Sequence, residues 1–462
     1  MPKLDPNSND FRAAGHKLID WIGNYFDNID DFDVLARVQP GDVAKLFAAE
    51  ARERGVSYDT LLQEFEQKLL PGVTHWNHPA FFAYFAITGS QAGVLGELLS
   101  AALNLNGMLW RTSPALTELE TVALGWLRDA LGLPSNLFGI INDTASINTF
   151  LGLAAARQTA APDVRTKGLT KTLRVYCSEH AHNSIDKAAV ALGIGVDNVV
   201  HIASDERFRM LPEALEEAIA KDRAAGFTPC AIVVTLGTTS TGSVDPLPAV
   251  GKIAKRENIW LHVDAAYAGP VTLCEEFRWL WEGIDNADSI VTNPHKWMFT
   301  PVDCSVLYTK RPDVLREAFS LVPPAYLTTS DGAAVNYMDY GIQLGRRFRA
   351  LKLWMVLEHY GLEHLREVLR GHVVLAEQLS EELERRDGVQ LMAPQMFGVV
   401  VFALKAGDAA TEALLQRINA SGEAFVSNTK LQGRYCVRVA IGNGATEWKH
   451  VAKILELVDG NG

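Results

Sequence analysis

The 462-residue sequence holds only five cysteines, Cys177, Cys230, Cys274, Cys304 and Cys436, scattered without CxxC spacing. An odd number so placed argues against a complete disulfide framework and for reduced thiols used as small apolar residues. No Lys/Arg-rich block interrupts a formal net charge of −12. Such a surface repels phosphate backbones and anionic lipid, so neither nucleic acid nor membrane is expected as a partner. No apolar run approaches the length of a bilayer span, and the start, "MPKLDPNSNDF", lacks the basic and apolar regions of a secretory signal. A soluble, cytoplasmic protein is the expectation. Internal repeats and low-complexity tracts are also missing.

What is present is apolar residue in quantity, 48% of the chain, enough for a substantial core. From Phe11 to Leu70 these residues recur at helical spacing (Phe11, Ala14, Leu18, Trp21, Ile22, Tyr25, then Leu61, Leu62, Phe65, Leu69). A helix hairpin of that kind cannot bury its stripe alone, so it is expected to pack on the rest of its own chain or on a second subunit of an oligomer. "RTSPALTELETVALGWLRDALGLP" predicts a helix with Ser113 as cap, Pro114 in the first turn and a stop at "GLP". Six short β-branched runs then alternate with helical stretches: 173–177, 198–202, 230–236, 258–263, 288–292 and 304–309. Most lack in/out alternation, as strands covered on both faces do, which predicts a mostly parallel α/β sheet with one antiparallel neighbour contributed by the last pair. Two long helical patterns and a strand–helix–strand–helix tail predict a small α+β C-terminal domain. The stretch 322–341, rich in Pro, Gly, Ser and Thr, is longer than an ordinary connection and reads as a lid or a disordered loop.

Ligands of open α/β sheets bind at the carboxyl ends of the strands. Those ends carry "SEHAHN", "GTTSTG", "DAAYAG" and "NPHKW", so His182, Thr239, Asp264 and Lys296 are expected on one edge. "NDTASINTF" opens a helix at Thr144, Ala145 and Ser146, where free N–H groups and hydroxyls suit a phosphate; Asp143 beside them reads equally as the helix cap. Singly, each residue has a plain structural reading: a turn aspartate, a solvated lysine, a core histidine. Together, a lysine amine, a carboxylate, a flat imidazole and an anion site are what pyridoxal phosphate chemistry requires.

The motifs "THWNHPAFFAYF", "SPALTELE", "HVDAAYAG", "NPHKW", "DCS" and "LGRRFR" occur in the same order and approximate spacing as in the group II pyridoxal phosphate-dependent decarboxylases. The chain resembles this family over nearly its whole length, and the aromatic-L-amino-acid decarboxylases most. The resemblance implies the type I fold of such enzymes, with a seven-stranded sheet, and three parts: an N-terminal helical dimerisation segment (1–84), a large cofactor-binding domain (85–358) and a small C-terminal domain (359–462). It implies that Lys296 carries the cofactor, Asp264 pairs with its ring nitrogen and His182 stacks on the ring. Thr144, Ala145, Ser146, Asn293 and His295 match the family's phosphate contacts, while Thr239 and Ala266 line the ring. The family's "GSAS" is "DTAS" here, with Asp143 in place of glycine. Tyr326 matches the loop tyrosine that returns a proton to the substrate carbon, where phenylalanine goes with oxidative deamination to an aldehyde. The side-chain pocket maps to Trp76, Tyr84, Phe85, Ala86, Met108 and Gly345, with Met108 reaching the neighbouring subunit's site in a homodimer. Ala86 and Met108 stand where some relatives have proline and phenylalanine. The implied activity is decarboxylation of an aromatic L-amino acid to an amine, with an aldehyde synthase as the alternative. A metal-dependent hydrolase using "EHAHN", "HWNH" and "HVD" is the rival from another class, opposed by the lack of an HExxH helix. The expected site contains no metal.

Overall fold

Seven strands, each short and rich in β-branched residues, build the main sheet of this computed structural model, which describes Leu4 and residues 8–320 and 334–460. They are β1 (Phe138–Asn142), β2 (Leu173–Ser178), β3 (Val199–Ile202), β4 (Thr228–Thr235), β5 (Trp260–Asp264), β6 (Ser289–Thr292) and β7 (Ser305–Thr309), in the spatial order β1-β7-β6-β5-β4-β2-β3. Pairing is parallel except for β7, which runs antiparallel to both β1 and β6. All six predicted strands are present. The connection from β6 to β7 is indeed too short for a crossover helix, which forces the antiparallel turn.

The central strands lack alternation because both faces are covered. On β4, Ile232 and Val234 join one core with Leu124, Leu127 and Leu261, while Ala231 and Val233 join another with Leu151, Ala154 and Val175. The helix Ala145–Ala160 lies on the second face, and it approaches so closely that a Cβ on Gly152 would stand 2.7 Å from His262 Nδ1. Glycine is the residue that this contact admits. The helix Pro114–Leu131 covers the first face and ends at left-handed Gly132, φ 75°, as "GLP" predicts. Its start departs from expectation: Ser113 Oγ donates to Asn106 O (2.8 Å) and makes no side-chain cap. Proline at the first turn has no N–H to satisfy, so the cap has less to do.

Four antiparallel strands form the second sheet, β8 (Val389–Leu391), β9 (Val399–Leu404), β10 (Ser427–Leu431) and β11 (Arg434–Ala440), in the order β10-β11-β9-β8. The long helix Arg349–Glu384, broken at Gly361 (φ 67°), runs from the first sheet to the second. At the N-terminus the helix Asn9–Asp27 is tied to its own chain by Trp21 Nε1 to Glu66 (2.8 Å), Lys17 to Asp59 (2.6 Å) and Tyr25 to His75 (2.9 Å). Phe11, Leu18 and Ile19 on that helix stay exposed. Among the described residues no helix is long and apolar enough to cross a membrane.

Candidate active site

Because β1, β2, β4, β5 and β6 point the same way, the segments that follow them meet at one edge of the sheet. There they enclose a cavity of about 170 Å³ lined by Thr144, Ala145 and Ser146 after β1, His182 after β2, Thr239 after β4, Asp264 and Ala266 on and after β5, and Asn293, His295 and Lys296 after β6. Every cofactor residue expected from the sequence lines this one space.

Lys296 sits in the short helix Pro294–Trp297, just past β6. Burial pushes its amine below the usual range; the nearby Arg438 charge pushes the same way, and the Asp264 carboxylate opposes both. Its Nζ lies 5.0 Å from the centre of the Phe85 ring. Asp264 ends β5, buried, and takes the Ala266 N–H on Oδ1 (3.0 Å). His182 stands at the open mouth, where Nδ1 accepts the Ser184 N–H (3.1 Å), so the proton belongs on Nε2. Burial lowers its pKa, Asp264 resists, and Lys296 and Lys187 add to the fall.

The opposite end of the cavity is a donor cluster. His295 Nδ1 accepts the Cys304 N–H (2.9 Å), and burial followed by the Lys296 charge drives its pKa down to about 3, so it is a neutral ring with its proton on Nε2. A directional chain fixes Asn293: Asn142 Nδ2 donates to Asn148 Oδ1 (2.7 Å), Asn148 Nδ2 to Ser305 Oγ (2.7 Å), and Ser305 Oγ to Asn293 Oδ1 (2.5 Å). With its carbonyl used, Asn293 keeps its NH₂ as a donor for the cavity. Asn142 and Asn148 lie within "NDTASINTF" and Ser305 within "DCS", but sequence reading gave none of the three a role. Thr144 lines the cavity and is engaged within its own loop: its hydroxyl accepts the Ile147 N–H (3.4 Å) and donates to Asp143 (3.2 Å), while the first-turn N–H groups of Ala145 and Ser146 lie beside it.

The wall behind Lys296 is aromatic and carries a cation that the sequence did not reveal. Phe85 stacks on Tyr267 (centroids 3.8 Å apart), and Tyr267 on Trp297 (4.9 Å). Arg438, from β11, is 2% exposed, and among the described residues it has no carboxylate partner: Nε donates to Thr239 O (2.6 Å), Nη1 donates to Tyr84 O, and Nη2 meets no partner there. Its guanidinium lies 4.6 Å from the centre of the same Phe85 ring, and burial lowers its pKa to about 10. Tyr84 holds a left-handed backbone, φ 54°, strain of the kind that marks functional loops.

Of the six side-chain pocket residues expected, only Phe85 lines the Lys296 cavity among the described residues. Trp76 stacks on Phe81 (4.3 Å) and Tyr84 (5.8 Å), an aromatic group in which Trp76 and Tyr84 are exposed. Ala86 is buried. Met108 and Gly345 gather separately around Asn106, whose Nδ2 lies 3.8 Å from Met108 Sδ. A single chain thus leaves the pocket in two pieces. Tyr326 and most of the 322–341 stretch lie outside the described residues.

The histidines of the metal reading are engaged apart from one another: His75 with Tyr25 (2.9 Å), His180 with Ser204 (3.1 Å), His262 with Ser289 (2.8 Å). Among the described residues no group of three or more His, Cys, Asp or Glu side chains could hold a metal ion. The donor set fits pyridoxal phosphate instead. An amine, a carboxylate and a phosphate-sized set of neutral donors share one cavity, and the Thr235 hydroxyl on its wall is buried with no partner among the described residues.

Comparison with known proteins agrees with this chemistry. The chain is 40% identical to phenylacetaldehyde synthase of Arabidopsis thaliana, over 98% of this chain and 96% of that protein. It is 38% identical to aromatic-L-amino-acid decarboxylase of Sus scrofa, over 98% and 96%. The crystal structure of Oryza sativa TDC with PLP and tryptamine superposes with a TM-score of 0.96 at 34% identity, covering 99% of both chains. With the pyridoxal-dependent decarboxylase conserved domain matching residues 40–405, the chain belongs to the pyridoxal-dependent decarboxylase family.

Proposed function

We propose that this enzyme decarboxylates an aromatic L-amino acid to the corresponding amine and carbon dioxide, with Lys296, Asp264, His182 and Tyr326 as its catalytic residues. The observation that carries the proposal is a lysine amine biased toward its uncharged form beside a buried carboxylate, in a cavity walled by Phe85 on Tyr267. Bound there, the cofactor's ring accepts the electron pair that remains on the substrate carbon when carbon dioxide leaves. Lys296 supplies the nucleophilic amine. Asp264 holds a proton on the ring nitrogen, and Thr144, Ala145, Ser146, Asn293 and His295 hold the phosphate. Thr239 and Ala266 border the ring, and His182 orients the substrate carboxylate from the mouth. Tyr326 returns a proton to the substrate carbon, which yields the amine.

The substrate's aromatic side chain is taken by Trp76, Tyr84, Phe85 and Ala86 of one chain together with Met108 and Gly345 of its partner in a homodimer. Support for the dimer comes from apolar residues exposed among the described residues: Leu95, Leu98, Leu99 and Leu103 on the helix Gln91–Leu103, and Val122 and Trp126 on Pro114–Leu131. Such exposure marks an interface. The N-terminal segment to residue 84, with Phe11, Leu18 and Ile19 exposed, belongs to the same interface. Five unpaired, buried cysteines support a reducing, cytoplasmic setting.

A panel of tryptophan, phenylalanine, tyrosine, dopa and glutamate, scored for carbon dioxide, amine, aldehyde and hydrogen peroxide, tests the reading. Amine and carbon dioxide from the aromatic substrates are expected. Aldehyde with peroxide would instead identify an aldehyde synthase, a reading that the similarity to phenylacetaldehyde synthase keeps open. Turnover of glutamate alone would overturn the substrate class.

A further inference from the structure

Asp143 stands immediately before the helix end that receives the phosphate, and its carboxylate already holds donors there. Oδ1 accepts the Thr144 N–H at 2.6 Å and the Thr144 hydroxyl at 3.2 Å. Thr144 Oγ1 in turn accepts the Ile147 N–H, so a closed local network caps the helix Ala145–Ala160 without any ligand. The positive charge that could offset this carboxylate is shared. Arg349 donates to Asp303 at 2.7 and 3.3 Å; burial works to lower its pKa, but Asp303 and then Asp143 together raise it. One guanidinium therefore answers two carboxylates, and a phosphate arriving at Ala145 and Ser146 meets a like charge one residue away from its seat.

We propose that Asp143 is a built-in competitor of the cofactor's phosphate: it holds the cap residue Thr144 in the cofactor-free protein and must yield it when cofactor is taken up, setting how tightly cofactor is held. The inference rests on the phosphate seat proposed above. A phosphate dianion accepts the same N–H and hydroxyl donors that a carboxylate accepts, so the two exclude each other at Thr144. Repulsion of unit charges about 5 Å apart at a half-exposed site, where the effective dielectric constant lies between about 20 and 80, changes an affinity by roughly tenfold or more. Asp143 thus acts on retention and exchange of the cofactor, through Thr144, and touches none of the reacting atoms.

Titrating cofactor-free protein with pyridoxal phosphate and with pyridoxal, which lacks the phosphate, tests this, using quenching of tryptophan fluorescence. Asp143→Asn keeps the side-chain shape and removes the charge; Asp143→Gly removes the acceptor of the Thr144 N–H and hydroxyl as well. Both should bind pyridoxal phosphate about tenfold more tightly than the parent chain, with pyridoxal unchanged. Inorganic phosphate alone should raise the melting temperature of cofactor-free Asp143→Asn more than that of the parent. Equal or weaker binding of pyridoxal phosphate by Asp143→Asn, or an equal change for pyridoxal, overturns the inference. Ser146→Ala separates it from the underlying reading: that variant should lose affinity for pyridoxal phosphate and keep it for pyridoxal. If Ser146→Ala behaves like the parent, the phosphate seat itself is wrong and the proposal about Asp143 falls with it.

Discussion

Replacing Arg438 with methionine should make Lys296 harder to deprotonate. The Arg438 guanidinium and the Lys296 amine lie 4.6 and 5.0 Å from the centre of one ring, that of Phe85, so the two charges stand within roughly 10 Å of each other. At an effective dielectric constant of about 20, that separation is worth about 1.7 kcal/mol. Such an energy changes the ratio of charged to uncharged amine a little more than tenfold. Arg438 lowers the pKa of Lys296, so its removal raises it, and at a given pH less amine is free to react. The assay is covalent loading of cofactor-free protein with pyridoxal phosphate across pH 6 to 9, followed by absorbance and by borohydride trapping on the Lys296 peptide. We expect the midpoint to move up by about one pH unit in Arg438→Met. Arg438→Lys keeps the charge and should keep the midpoint, although Thr239 O and Tyr84 O lose their donors. A variant that merely misfolded would lose loading at every pH instead of shifting the midpoint. Identical midpoints for Arg438→Met and the parent would refute the argument.

Lys296→Ala should abolish both product formation and borohydride-stable labelling, read by substrate turnover and peptide mass. Tyr326→Phe should divert product from amine to aldehyde with hydrogen peroxide; amine alone at the parent rate would remove Tyr326 from the proton-donor role. Asp245 is buried, accepts the Met210 and Thr235 N–H groups at 2.8 and 2.9 Å, and has its pKa pushed up to about 6 by burial. A raised carboxyl pKa contributes stability that is present at low pH and is lost as pH rises through 6, in total about 3 kcal/mol between pH 4 and 7.5. The stability of the parent relative to Asp245→Asn, from urea unfolding, should fall by that order over this window; a constant difference would show that Asp245 is already ionised throughout.

The parts of the fold that the sequence discloses are those whose residues answer to neighbours nearby. Five interior strands were readable because burial on both faces demands uninterrupted β-branched runs, and the edge strand β3 because "VVHI" is itself β-branched. β1 was not: "FGIIN" is five residues with a glycine, paired on one side only, to β7. β8 and β10 are edge strands of the second sheet, and "SNTKL" is polar enough to pass for a loop. The cofactor residues were legible for a topological reason, since strand ends in an open sheet place them together whatever lies between. Arg438 was not, because it works through main-chain oxygens 199 and 354 positions away and leaves no pattern of its own. The Asn142–Asn148–Ser305 chain was hidden likewise, each member being an ordinary buried polar residue until its partner is known.

Asp143 and Arg438 are matched opposites. Each places a charge beside a group of its own sign, a carboxylate at the phosphate seat and a guanidinium at the lysine, and each gives up binding or stability to bias its neighbour. They differ in exposure, and that difference can be measured. Asp143 is half-buried and opens toward solvent, whereas Arg438 is 2% exposed. Mobile ions screen the first interaction and scarcely reach the second, since screening fails for buried pairs. Raising salt from 0.05 to 0.5 M, roughly a threefold shortening of the screening length, should therefore shrink the difference in pyridoxal phosphate affinity between the parent and Asp143→Asn. The difference in loading midpoint between the parent and Arg438→Met should stay where it is. Comparing differences removes the salt response that all variants share. If both gaps closed together, the guanidinium would act on Lys296 through water, and the dry wall of Phe85, Tyr267 and Arg438 would not be what keeps that lysine reactive.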